Sequence, residues 1–205
     1  VERQLRTYDV TDAATLQAFL DVPREPFVAP SAVAVAYGDS DLPCAAGSKR
    51  RLLAPLALAR LVQALDVKRG ERALEVAAGS GYGAALLAKL GAKATALESD
   101  EAALAAARTA LADSGVEVVA GDPAAGAPRL PAFDVILVNG ACAAVPSALI
   151  ERLAPGGRLA YVDVSTGAGS AILVTRSASD VGHRRIGAAS GPLLPEFNRA
   201  PEFAF

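Results

Sequence analysis

The fold is decided by one stretch of nine residues, Glu75-Val76-Ala77-Ala78-Gly79-Ser80-Gly81-Tyr82-Gly83. This stretch joins a predicted strand at 73–76 to a predicted helix at 81–90. Glycines at such a junction let the backbone turn sharply and approach a ligand closely. The stretch therefore predicts a ligand-binding loop that opens a helix.

From residue 73 onward, predicted strands alternate with predicted helices. We expect strands at 73–76, 94–97, 116–119, 133–138 and 158–164, and helices at 81–90, 100–114 and 146–153. The unbroken apolar run at 133–138 is typical of a strand buried on both faces. This alternation predicts an α/β fold with a doubly wound, mostly parallel sheet. Beyond residue 167, two segments at 170–176 and 183–188 predict antiparallel C-terminal strands.

We expect a single domain over residues 1–205. Its three parts are an N-terminal helical and loop extension at 1–55, a ligand-binding core at 56–165, and C-terminal antiparallel strands with a proline-rich tail at 166–205. The extension contains a predicted helix at 12–20 and a loop-rich stretch at 36–54, and a helix opened by Pro55 follows. The tail ends at 202–205 in a segment that fits an edge strand, and the tail could fold back over the ligand site.

Composition excludes several classes of function. Twenty basic and 22 acidic residues leave a net charge of −2, so we expect no nucleic-acid partner. No apolar run is long enough to span a membrane, and the N-terminal residues lack the apolar core of a signal peptide. Cys44, Cys142 and one histidine cannot build a zinc site, so we expect no metal. So few cysteines favour the reducing cytoplasm.

Polar residues follow three neighbouring predicted strands where each strand ends. Glu98 lies 19 residues after Gly79, a spacing that suits a carboxylate accepting hydrogen bonds from ribose hydroxyls. Gly121 and Asp122 follow the next strand, where a side chain could reach an adenine edge. Asn139 ends the strand at 133–138 and is a candidate to line the reaction centre or, alternatively, to satisfy a local turn.

Two cofactors compete for this loop. The segment from Gly79 to Ala84 matches the dinucleotide pattern G-x-G-x-x-G/A, which indicates an NAD-dependent oxidoreductase. Glu75 argues against NAD because its charge would repel a pyrophosphate, whereas in S-adenosylmethionine (SAM) enzymes an acidic residue here faces the ammonium group of the cofactor. The chain also lacks a clear second nucleotide-binding half. SAM, with S-adenosylhomocysteine as its product, is the favoured cofactor and NAD the alternative.

Further segments share a family pattern with the loop: Gln4-Leu5-Arg6, Val22-Pro23-Arg24-Glu25, Phe27-Val28, Ala36-Tyr37, Leu42-Pro43, Leu97-Glu98, Gly121-Asp122, Phe133-Asp134-Val135-Ile136 and Leu153-Ala154-Pro155-Gly156-Gly157-Arg158-Leu159. With them the chain resembles the protein-L-isoaspartate O-methyltransferases, which have a Rossmann-like class I methyltransferase fold. The resemblance implies SAM as cofactor and a carboxylate of damaged protein as acceptor. It implies these cofactor-binding residues: Glu75, Ala77, Gly79, Gly81, Tyr82, Glu98, Gly121, Asp122 and Asn139. Tyr82 has the alternative of packing in the core.

The chain departs from this family before Pro55. The family places Thr-Ile-Ser in this register, with the serine at the active site, whereas Arg51, Leu52 and Leu53 stand here. We take these three as candidate substrate-pocket residues. Arg51 or Arg50 could hold an anionic substrate, although a solvated basic loop is the commoner role for such a run. Ala77 likewise replaces the first glycine of the family's cofactor loop.

The resemblance supports two functions. The first is an O-methyltransferase that acts on isoaspartyl residues or on another protein, peptide or small-molecule carboxylate. Because a carboxylate is already nucleophilic at neutral pH, this chemistry needs alignment and desolvation, and we predict no catalytic acid or base. The second is a weakly active or inactive relative that binds SAM or S-adenosylhomocysteine as a sensor or partner module.

Overall fold

The computed structural model describes residues 5, 6 and 9–197, so Gln4 and the predicted edge strand at 202–205 lie outside the described residues. The strands are β1 Leu42–Pro43, β2 Arg51–Leu52, β3 Arg72–Val76, β4 Lys93–Glu98, β5 Glu117–Ala120, β6 Phe133–Cys142, β7 Leu153–Asp163, β8 Ser170–Arg176 and β9 Val181–Ala188. The α-helices are α1 Ala13–Asp21, α2 Pro55–Leu65, α3 Tyr82–Lys89, α4 Glu101–Ala110 and α5 Ser147–Glu151. Short 3₁₀ turns occur at Glu25–Phe27, Pro30–Val35, Pro123–Ala125 and Pro195–Phe197.

Seven strands form the main sheet, in the order β5-β4-β3-β6-β7-β8-β9. The first five strands in this order are parallel, and β8 and β9 continue the sheet as antiparallel neighbours. The chain order reverses between β3 and β6, which is where open α/β sheets bind ligands. The doubly wound fold class and its antiparallel C-terminal strands are confirmed.

The sheet is buried on both faces, as the apolar run of β6 predicts. Val135 and Leu137 of β6 pack into one hydrophobic cluster, with Leu58 of α2 and Leu86 of α3. The alternate β6 residues Ile136 and Val138 pack into a second cluster on the other face. Residues of α1 also join the first cluster, so the N-terminal extension shares the core of the sheet domain.

Several predicted bounds were wrong: β6 continues to Cys142, so Asn139 lies within the strand, and β7 begins at Leu153 and not at residue 158. The loop-rich stretch at 36–54 contains the antiparallel pair of β1 and β2, whose two-residue strands are too short to give a periodic signal. The helix expected at 100–114 ends at Ala110, and the chain then turns through Gly115 at φ +73° to enter β5. The helix expected at 146–153 stops at Glu151 because Leu153 pairs with Phe133 in the sheet.

None of the described helices has the length and apolar character needed to cross a bilayer. Within the described residues, no three His, Cys, Asp or Glu side chains group as metal ligands.

Candidate functional site

The loop between β3 and α3 turns through three residues in the left-handed region. Ala77, Gly79 and Gly81 have φ angles of +54°, +58° and +86°. A glycine adopts this conformation without steric cost, whereas an alanine is strained by about 1 kcal/mol or more. The chain therefore keeps the turn of the family's glycine loop while carrying an alanine at its first position.

Glu75 holds this turn from beneath. Its side chain is fully buried, and its two carboxylate oxygens accept hydrogen bonds from the backbone N–H groups of Gly83 (3.1 Å) and Ala84 (2.7 Å). Burial raises the pKa of Glu75 to about 8, against the opposing effect of the two N–H donors. The carboxyl group is thus bound to the first turn of α3.

Glu98 lies at the end of β4, directly beside the loop, as the spacing of the sequence predicts. Its Oε2 accepts a hydrogen bond from the Gly79 N–H at 2.7 Å. Its Oε1 accepts from the N–H groups of Ser99 and Asp100 at 2.7 and 2.9 Å, and from Arg50 Nε at 2.9 Å. The side chain is completely buried. Oε1 of Glu98 therefore accepts three hydrogen bonds, whereas Oε2 accepts one.

Two further predicted residues meet the loop region in different ways. The Gly121 N–H donates to the Glu98 carbonyl oxygen at 3.0 Å, so the end of β5 is tied to the end of β4. The Asp122 side chain is exposed and accepts from the Ala124 N–H at 2.9 Å, which caps the turn at Pro123–Ala125. Asp122 therefore lies at the same edge of the sheet but is separated from the carboxylate of Glu98.

Asn139 connects the loop to the segment before α2. It is 2% exposed, its Oδ1 accepts from the Leu53 N–H at 3.3 Å, and its Nδ2 donates to the Ala78 carbonyl at 3.3 Å. These partners lie 86 and 61 residues away in sequence, so the side chain does not serve a local turn.

The segment from Arg50 to Leu53 covers the loop. A Cβ atom at Gly79 would lie 3.5 Å from Leu52 Cδ2 and 3.3 Å from Cys44 Sγ, so β2 and the residue that follows β1 are in close contact with it. Leu52 and Leu53 are buried, whereas Arg51 is exposed and donates to the Asp41 carbonyl at 2.6 Å. The expected substrate-pocket residues therefore form the cover of the loop, with only Arg51 at the surface.

Arg50 is neither solvated, as in an exposed basic loop, nor free to bind a substrate anion. It is only 9% exposed and forms ion pairs with Glu98 and with Glu196, while its Nη2 also contacts Ser99 Oγ at 3.2 Å. Sequence reasoning missed this arrangement because the two carboxylates lie 48 and 146 residues away along the chain.

Arg24 is a second buried cation near the site that sequence reasoning did not single out for a role. It donates to the Leu53 carbonyl at 2.7 Å, and its guanidinium lies 5.1 Å from the ring centre of Tyr82. Tyr82 also packs against Phe19 and Phe27, with ring centres 6.1 and 5.2 Å away. The ring of Tyr82 thus lies in the core, and the signal for Arg24 was its place in the Val-Pro-Arg-Glu motif.

Residues 191–197, here called the strap, cross the end of β6. The Ala141 N–H donates to the Pro192 carbonyl, and the Leu194 N–H donates back to the Ala141 carbonyl, at 2.8 and 2.9 Å. Leu194 is 2% exposed and fills the space above Gly140, where a Cβ atom would lie 2.6 Å from its Cγ. The first part of the proline-rich tail therefore folds back over the ligand edge of the sheet.

The residue types suit SAM, but the described conformation is closed. The carboxylate of Glu98 can accept hydrogen bonds from ribose hydroxyls. The loop between β3 and α3 makes its sharp turn. However, all residues of 77–81 are buried, covered by the chain itself. The crevice between the strap, Arg50 and Asp100 measures about 280 Å³. That is at the lower limit for small-molecule sites, which span about 300–1,000 Å³. A cofactor would need this cover to move.

Comparison with known proteins agrees with the fold. The profile of the protein-L-isoaspartate(D-aspartate) O-methyltransferase family matches residues 1–182. Protein-L-isoaspartate O-methyltransferase from Methylorubrum populi is 45% identical over 161 residues, covering 78% of this chain and 75% of the relative. The Methylorubrum extorquens protein of the same name is 40% identical over 182 residues, covering 88% and 79%.

Two solved structures share the fold. One, named protein-L-isoaspartate O-methyltransferase, has a TM-score of 0.81 and 23% identity, and the match covers 94% of this chain and 64% of that one. A Plasmodium falciparum structure described as such an enzyme in complex with S-adenosyl-L-homocysteine has a TM-score of 0.78 and 17% identity, covering 93% and 94%. Together with the family profile and the sequence relatives, these matches show that the chain belongs to the protein-L-isoaspartate(D-aspartate) O-methyltransferase family.

Proposed function

We propose that the protein is a SAM-dependent O-methyltransferase that esterifies isoaspartyl carboxylates in damaged protein or peptide, acting in the cytoplasm. The observation that carries this proposal is the placement of Glu98. Its carboxylate is buried at the end of β4, and Oε2 lies 2.7 Å from the N–H of Gly79, within the turn of the loop. Such a carboxylate suits the ribose hydroxyls of a nucleoside cofactor. The two buried free thiols fit a reducing compartment.

The residues that would hold SAM have distinct tasks. Glu98 accepts Arg50 Nε on Oε1 and the Gly79 N–H on Oε2, so ribose hydroxyls would replace Arg50 at Oε1 and use the remaining lone pair of Oε2. Glu75 keeps the first turn of α3 in place, and Asn139 ties the loop to the segment that carries Leu53. Asp122 is available at the adenine side. When bound, SAM supplies an electrophilic methyl group on its sulfonium, which a carboxylate oxygen accepts without a general base.

A second function, that of a weakly active or inactive SAM-binding relative, is favoured by one observation. Leu53 is completely buried where the family has its active-site serine, so no hydroxyl in that register can orient an acceptor. Only the first function predicts turnover, whereas both predict cofactor binding.

The test uses SAM labelled in its methyl group, together with two peptides that differ only in an isoaspartyl or an aspartyl residue. The first function predicts base-labile methyl ester on the isoaspartyl peptide only. Calorimetry with SAM and with NAD is run on the same protein. SAM binding without ester formation would support the inactive relative. NAD binding without SAM binding would reject both functions in favour of an oxidoreductase.

A further inference from the structure

Glu98, the carboxylate proposed to bind the cofactor, already forms an ion pair with a cation of the chain, Arg50. We propose that Arg50 is an internal competitor for Glu98, and that the strap locks it in place through Glu196. This makes the strap a lid that a cofactor must open before its ribose can reach Glu98. The inference rests on the proposed function, because it concerns access to the same cofactor site.

The first step of the argument is the position of Arg50. Its Nε lies 2.9 Å from Glu98 Oε1, and the side chain, on the residue just before β2, reaches Glu196 of the strap. Because the Glu98 side chain is fully buried, any ligand that reaches its carboxylate must take the space of whatever covers it. Arg50 is the cationic part of that cover.

The second step is the role of the strap. Arg50 Nη2 pairs with Glu196, whose side chain is 21% exposed, so the guanidinium lies between two carboxylates of which one is on the strap. An arginine buried between two carboxylates is held much more firmly than an exposed ion pair. In the open state Arg50 is solvated, so removing the carboxylate of Glu196 changes the free energy of that state little. Glu196 therefore stabilises the closed state more than the open one.

The third step is how the strap is held. Among the described residues, its contacts include two backbone hydrogen bonds to Ala141, the Glu196 ion pair, the packing of Leu194 and Phe197 in the second hydrophobic cluster, and the contact of residue 191 with Leu53. The crevice of about 280 Å³ beside it, lined by Lys49, Asp100 and residues 192–196, leaves open space next to Arg50. Opening the lid breaks these contacts, so the removal of any one of them shifts the balance towards the open state.

The experiment measures the affinity of the full chain for SAM and for S-adenosylhomocysteine by calorimetry. Glu196→Gln and Arg50→Ala are compared with wild type and with two exposed controls, Glu151→Gln and Arg108→Ala. Losing one charge-assisted hydrogen bond in the closed state predicts about tenfold tighter binding for Glu196→Gln. Both ligands should gain equally, whereas a purely electrostatic effect of removing the negative charge of Glu196 would weaken the binding of the SAM sulfonium cation and leave S-adenosylhomocysteine unaffected. The controls should bind as wild type does.

A second readout needs no cofactor. Hydrogen exchange at the Leu194 and Ala141 amides reports the two bonds that hold the strap. We expect these amides to exchange several-fold faster in both variants, and faster in wild type when S-adenosylhomocysteine is added. Arg50→Ala leaves the buried carboxylate of Glu98 without its partner and could impair folding. Glu196→Gln keeps the pair of Arg50 and Glu98, so the proposal can be tested even if Arg50→Ala does not fold.

The outcomes separate the two proposals. Unchanged or weaker S-adenosylhomocysteine affinity in Glu196→Gln, in an enzyme that forms ester, would overturn the lid but keep the proposed function. Tighter binding in the variant without any ester formation would keep the lid but reject the proposed function. Failure of every protein to bind either ligand would overturn both.

Discussion

The ionisation of Glu75 gives a sharp test of the buried site. Its carboxyl group has no exposure to solvent, and the negative charge of Glu98 is nearby, so both burial and charge favour the protonated form. The N–H groups of Gly83 and Ala84 favour the ionised form. Burial prevails and raises the pKa of Glu75 from 4.5 to about 8. The substitution that tests this competition is Glu75→Gln, which removes the titration and keeps the shape.

The sign of the effect follows from proton linkage. Between the unfolded pKa of 4.5 and the folded pKa of about 8, the folded protein holds a proton on Glu75 that the unfolded chain has lost. Stability from this group is therefore complete below pH 4.5 and declines until the pH has passed about 8. The slope approaches about 1.4 kcal/mol per pH unit, which amounts to about 2–3 kcal/mol between about pH 5.5 and about pH 7.5.

The assay is urea unfolding of wild type, Glu75→Gln and the exposed control Glu151→Gln at these two pH values. Other titrating groups contribute equally to all three proteins, so they cancel in the differences. We expect wild type and the control to lose about 2–3 kcal/mol more than Glu75→Gln as the pH rises. Parallel pH dependences in all three proteins would refute the reasoning and would mean that the α3 N–H groups keep Glu75 ionised throughout.

Three other changes test the packing around the loop. Gly83→Ala places a Cβ atom 2.8 Å from Leu137 Cδ2 and against the buried carboxylate, so it should destabilise the protein by about 1–3 kcal/mol in urea unfolding, whereas Gly187→Ala, with no atom within 4 Å, should not. Leu53→Ser removes a fully buried side chain and should lower the unfolding free energy by about 2–4 kcal/mol. Burial raises the pKa of the thiols of Cys44 and Cys142 to about 11 and about 12, so both should resist a thiol reagent in the folded protein and react once urea unfolds it.

Sequence reasoning located those parts of the site that depend on periodicity. Alternating strands and helices bring the ends of β3 and β4 to one edge, so the contact between Gly79 and Glu98 follows from the spacing alone. The side chains that cover this edge depend instead on tertiary contacts between distant segments. Arg50 carries no local signal of its carboxylate partners, and the strap carries no periodic pattern. Leu153 shows the same limit, since sheet pairing decides its conformation over the preceding helical pattern.

The segment from Arg50 to Leu53 contacts the strap at two places. A Cβ atom at Gly191 would lie 2.5 Å from Leu53 Cδ2, so the leucine and the start of the strap are in close contact. A serine would leave a gap beneath residue 191 and would place a hydroxyl in an apolar contact. Arg50, three residues earlier, binds the strap at its other end through Glu196. This segment therefore supplies both an apolar and an ionic contact to the strap, and we expect Leu53 and Arg50 to act together in holding the proposed lid closed.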